Sequence, residues 1–124
     1  MKHNATKLAL KWLEAYQGKS LEVVDMYSED AVVECADGET LIGKEALEAF
    51  WPGRFVKFPA FDLMDVRSID ESVISVAYKI TSGIATATLG FDSDSGKIVW
   101  QRCTNPLPES SGAVPPTDPT FSPT

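Results

Sequence analysis

Leu8, Trp12 and Tyr16 recur every four residues, with Ala5, Ala9 and Leu13 beside them. At 3.6 residues per turn that spacing puts all six on one face of a helix. Asn4 can cap its start, and Gly18 can take the left-handed position at its end. A second helix is expected next, with Ser20 as N-cap and Leu21, Val24 and Tyr27 on its buried side. The link Gly18-Lys19-Ser20 is short, so the two helices fold back on one another. Residues 31–36 (AVVECA) are β-branched, few and bounded by turn residues, which predicts a strand. The run GKEALEAF over 43–50 turns helical again and should stop at Trp51-Pro52-Gly53. Beyond Pro59 the pattern predicts strands over 61–69, 73–81, 84–91 and 97–104. Leu63-Met64-Asp65-Val66 interrupts the alternation as a bulge would. Ser82-Gly83 has the length of a tight hairpin link, and Asp92–Gly96 is a longer loop of turn residues. The order is ααβαββββ, and helices grouped ahead of strands predict an α+β fold.

A tight turn at 82–83 pairs Ile80 with Ala85, Tyr78 with Ala87 and Val76 with Leu89. Directly paired residues share a face. One face then carries Ile74, Val76, Tyr78, Ile80, Ala85, Ala87, Leu89 and Phe91. Exposing it would forfeit on the order of ten kcal/mol of burial, so it faces the core. The other face carries Ser75, Ala77, Lys79, Thr81, Thr86 and Thr88. In the last strand Val99, Gln101 and Cys103 alternate with Ile98, Trp100 and Arg102, which puts Trp100 on that outer face. A large aromatic beside Thr86 and Thr88 suits a homodimer contact, sheet to sheet.

Composition narrows the partners. The chain has 124 residues, a formal net charge of −7 and eleven scattered Lys and Arg with no run of three. Binding to phosphate backbones or anionic lipid needs clustered positive charge, so nucleic acid and membrane are not expected partners. No apolar stretch reaches membrane-spanning length. The N-terminal run reads as an amphipathic helix rather than a leader, because Lys11 and Glu14 interrupt it. Six of the eight prolines fall in 105–124, so the chain divides into a folded domain over 1–104 and a disordered Pro/Ser/Thr-rich tail. Cys35 and Cys103 show no CxxC or metal-ligand spacing, which predicts a reduced pair in a cytoplasmic protein with no metal and no cofactor.

Three strings carry a family resemblance: EAYQGKSLEVVDMYSEDAVVECADG, IGKEALEAFW and GFDSDSGKIVWQRC. Their order over residues 5–104 resembles the nuclear transport factor 2-like superfamily, particularly its SnoaL-like and ketosteroid isomerase-like members. The resemblance implies a cone-shaped, curved antiparallel sheet wrapped around the N-terminal helices, a cystatin-like roll. It also implies a pocket open at one end, a small apolar ligand and a dimer. The isomerase chemistry does not carry over. Its base aligns with Cys35, its inward carboxylic acid with Ala87 and its helix-borne tyrosine with Lys11, so all three roles are empty.

Within such a pocket Tyr78 could donate a hydrogen bond to a ligand oxygen, and Gln101 could read a polar group. Cys35, Tyr16, Trp12, Trp51, Ala87 and Leu89 complete the expected lining. A thiol among apolar neighbours has a raised pKa and is inert without a histidine to activate it, and His3 is the only histidine. Asp37, in the turn after the first strand, and Asp65, at the bulge, are the candidate bases for an enzyme of the lyase, isomerase or hydrolase type. The sequence therefore leads to a ligand-binding domain, with a catalytic version and a purely dimerising version as alternatives.

Overall fold

Asn4 opens the first helix in the computed structural model, which describes residues 4–35 and 38–104. Its Oδ1 accepts from the Lys7 N–H at 3.1 Å, and α1 runs Ala5–Gln17. Gly18 closes it in a right-handed conformation; the residue with positive φ is Lys19, at 54°. Ser20 caps the next segment as expected, its side chain accepting from the Glu22 N–H. That segment, Leu21–Met26, is a 3-10 helix rather than an α-helix, and it buries Val23 and Val24 while Leu21 stays 55% exposed. Tyr27 already belongs to the first strand, so only six residues remain, too few to gain from α-helical propagation.

Strand β1 is Tyr27–Glu34 and a three-residue β2, Thr40–Ile42, pairs with it antiparallel. The sequence reading did not anticipate β2. Helix α2, Lys44–Lys57, passes through Pro52 instead of stopping there. Leu47, Trp51 and Phe55 are buried at four-residue spacing, whereas Pro52 and Gly53 are exposed. An interior proline costs about 3 kcal/mol. Full burial of one large apolar side chain recovers roughly 1.5–3 kcal/mol, so Trp51 and Phe55 together outweigh it.

The remaining strands are β3 (Leu63–Asp70), β4 (Val73–Ile80), β5 (Gly83–Phe91) and β6 (Ile98–Cys103). The six form one sheet in the order β2-β1-β6-β5-β4-β3. All pairings are antiparallel except β1 with β6, which is parallel, so the sheet is mixed. Hairpins fix direction only between strands adjacent in sequence, and β1 and β6 are the most distant partners in the chain.

The β4–β5 register differs from the expected one by two residues: Tyr78 faces Ala85, Val76 faces Ala87 and Ile74 faces Leu89. The connection is Thr81-Ser82, with Gly83 (φ 149°) starting β5. Side chains repeat every two residues, so a slip of two keeps each residue on its face. The predicted inward row, Ile74 to Ile80 and Ala85 to Phe91, is accordingly buried. In β6 the alternation changes phase. Gly90 pairs with Trp100 but Phe91 pairs with Ile98, leaving Val99 as a bulge. Ile98, expected outward, is therefore fully buried together with Gln101. The bulge expected near Met64 is present, between the pairs Leu63–Tyr78 and Asp65–Ala77. Among the described residues no helix is long and apolar enough to cross a membrane. The predicted tail, His3 and Asp37 lie outside the described residues.

Candidate functional site

Strand direction gathers one set of ends. β1 and β6 run parallel and finish side by side at Glu34 and Arg102, where β5 begins and β4 finishes. The register carried one residue onward sets Cys35 beside Cys103. Inward side chains shrink toward this end: in β5 the buried row passes from Phe91 and Leu89 to Ala87 and Ala85. Ala85 and Ala87 are fully packed, and aromatic rings from α1, α2 and β4 fill the core with them. Tyr16 and Tyr78 lie 5.3 Å apart between centroids, Trp12 and Tyr78 5.9 Å, and Tyr16 and Trp51 4.9 Å, all edge to face.

Polar groups thread this cluster. The Trp12 Nε1–H donates to the Tyr27 hydroxyl at 3.0 Å, and that hydroxyl donates to Gln101 Oε1. The Gln101 amide then donates to Cys103 Sγ at 3.1 Å. These hydrogen bonds engage both polar atoms of Gln101, the one buried side-chain amide among the described residues, so it is held rather than free to rotate. Trp51 is 1% exposed, and its Nε1–H lies near Tyr27 without hydrogen-bond geometry and has no partner among the described residues.

Arg54, partly buried on α2, closes the cluster. Its Nε donates to the Tyr16 hydroxyl at 2.7 Å and its Nη2 to the Tyr78 hydroxyl at 3.3 Å. Tyr16 in turn donates to the Phe58 carbonyl at 2.5 Å, and the guanidinium carbon stands 4.8 Å from the Phe58 ring centroid.

Burial dominates the electrostatics. It holds the Tyr27 hydroxyl well above its ordinary pKa and raises Tyr16 and Tyr78 as well, against the opposing pull of Arg54. Burial also pushes the Cys103 thiol up, more than Gln101 and Arg54 lower it. For Arg54 burial acts downward, but Tyr78 and Tyr16 outweigh it and the group is held above its ordinary value. At neutral pH the cluster is thus three phenols and a thiol, all neutral, around one fixed cation.

Most of the expected lining converges here: Tyr16, Trp12, Trp51, Tyr78, Ala87 and Gln101 are buried, and Cys35 packs partly buried against the same core. Leu89 is buried one inward step toward the larger end of the row. Asp65 stands apart. It pairs with Ala77 on the outer side of β4, and its carboxylate, 52% exposed, accepts from Arg67 Nε at 2.8 Å. Trp100 is 37% exposed and pairs with Gly90 on the outer face; Thr88 is one step along that face and Thr86 lies beyond it, opposite Thr104. Among the described residues no three His, Cys, Asp or Glu gather as metal ligands would.

Arg54, Tyr27 and Phe58 were missed by the sequence reading. Arg54 and Phe58 follow Pro52, where the helix was expected to have ended, and Tyr27 was placed on a helix. The usable signal was the continued Leu47-Trp51-Phe55 spacing, on whose face Arg54 falls three residues after Trp51.

No family model and no curated protein matches the sequence. Solved structures do match in shape. An NTF-2 like protein of unknown function from Burkholderia xenovorans is 18% identical, with 88% of each chain covered and a TM-score of 0.70. An NTF2-like protein from Anabaena variabilis is 21% identical, covering 90% of this chain and 96% of its own, at 0.67. A computationally designed 17-OHP binder is 18% identical, covering 86% and 94%, at 0.66. The likeness lies in the fold: helices packed on one open mixed sheet, the nuclear transport factor 2-like α+β fold.

Proposed function

We propose that this protein binds a small, largely apolar organic molecule at the sheet end where β1 and β6 finish. The observation that carries the reading is the inward size gradient of β5, which ends in Ala87 and Ala85, together with the edge-to-face cluster of Trp12, Tyr16, Trp51 and Tyr78 and its few polar atoms. Binding sites for small molecules have this composition, apolar walls with a small number of placed polar groups. The designed 17-OHP binder shares the fold, which supports its use as a ligand scaffold. Proton abstraction fits the cluster less well, because phenols and a thiol with raised pKa values stay protonated at neutral pH and make poor bases. A thermal-shift panel of apolar ring compounds tests the proposal. Hits should stabilise the wild type and lose their effect in Ala87→Phe, which fills the small end. If no compound moves the melting temperature, the reading fails.

A homodimer through the outer face is the second reading. Trp100 favours it, since a large aromatic stays more than one-third exposed on the face that also carries Thr88 and Thr86. Sedimentation equilibrium at micromolar concentration showing only monomer would exclude it.

A further inference from the structure

The chain has three arginines, and they are treated differently. Arg67 and Arg102 lie on the surface, and each holds a carboxylate, Asp65 at 2.8 Å and Glu34 at 3.1 Å. Arg54 is the most enclosed of the three, and no carboxylate lies within ion-pair distance of it among the described residues. The groups that act on its charge are Tyr78, Tyr16 and Cys103, all neutral at physiological pH.

A guanidinium offers five N–H donors. Two are used, on the Tyr16 and Tyr78 hydroxyls, and the others have no acceptor in the described protein. Removing a cation from water without a counter-charge is costly, and a neutral amide could have bridged the two hydroxyls without that cost. A bridging role alone does not account for the charge. A planar cation with free donors, flanked by phenols and by the Phe58 ring, has the makings of a receptor for a planar oxyanion.

We propose that Arg54 takes the carboxylate of the ligand, so that the preferred molecule is a small organic acid with a ring or other apolar body. The carboxylate would accept from the free guanidinium donors while the body lies over Ala85 and Ala87 against Trp12, Trp51 and Tyr78. The net charge of −7 does not oppose this strongly, because exposed charges beyond roughly 8 Å are largely screened at physiological salt. The inference rests on the binding reading above but is separable from it.

Matched probes make the separation: benzoate against benzamide, and phenylacetate against phenylacetamide, each titrated into the full chain. Binding is followed by thermal shift and by the NMR resonance of the Arg54 Nε–H. The acids should bind roughly tenfold to a hundredfold tighter than the amides and move that resonance. Arg54→Gln should abolish the preference, read as the ratio of acid to amide affinity within the variant, and Arg54→Lys should retain part of it. Equal binding of acid and amide in the wild type overturns the anion inference and leaves the binding reading standing. A preference that survives in folded Arg54→Gln overturns it as well. If neither acids nor amides bind, both fall together.

Discussion

The indole of Trp100 sits so closely over Gly90 on the neighbouring strand that a Cβ placed on Gly90 would lie 2.1 Å from its Nε1. Glycine is required there by proximity rather than by turn geometry, and the bare backbone is what lets the ring lie against the sheet. Gly90→Ala should therefore destabilise the protein by about 1–3 kcal/mol in urea unfolding. Adding Trp100→Ala should recover part of that loss, since contacting residues couple. Additive costs would mean that the ring is not seated on the glycine.

Tyr27 is the middle link between Trp12 and Gln101, accepting from one and donating to the other. Tyr27→Phe keeps the ring but strands a buried indole N–H and a buried amide oxygen. The expected loss is about 1–3 kcal/mol, the cost of leaving buried polar groups unpaired. Denaturant titration of the variant measures it, and an unchanged midpoint would remove the chain as a stabilising feature.

Alkaline pH should unfold the protein progressively. Burial, the leading cause, raises the folded-state pKa of Cys103 above its ordinary 9.0 and those of Tyr16, Tyr27 and Tyr78 above their ordinary 10.0. Each group prefers its neutral, protonated form in the fold. Its contribution is fully present below the ordinary value and is lost as pH rises toward the folded one. The melting temperature should hold steady up to about pH 9 and fall above it. Tyr27→Phe has no proton to lose at that position and should fall less steeply above pH 10. Parallel curves for the two proteins would contradict the assignment.

Pro52 sits on the exposed side of α2, nine residues into the helix, where it withholds an N–H. Pro52→Ala should restore that hydrogen bond and raise stability, by up to about 3 kcal/mol. A lower melting temperature in the variant would show that the proline shapes the path of the helix toward Arg54.

Face assignment in the sheet survived a mistaken register. Tyr78 was paired with Ala87 and is found opposite Ala85, yet both stay inward because alternation has period two. Ile98 did not survive, since the bulge at Val99 shifts the phase by one residue. The carboxylate candidates divide similarly. Asp65 was correctly read at a bulge, but alternation within β3 could not reveal that its side chain faces Arg67 on the exterior.

Local pattern by itself determined the elements that depend on near neighbours: the Asn4 and Ser20 caps, the α1 stripe of Trp12 and Tyr16, the alternating β4 and β5, and the Asp92–Gly96 loop. Hydrogen bonds and side-chain periodicity inside a few residues specify these. Only the tertiary structure decided the parallel joining of β1 to β6, the continuation of α2 through Pro52 and the gathering of Arg54, Tyr16, Tyr78 and Cys103. Those outcomes rest on burial shared between distant segments, and the energy of packing Trp51 and Phe55 is visible only once the sheet that covers them exists.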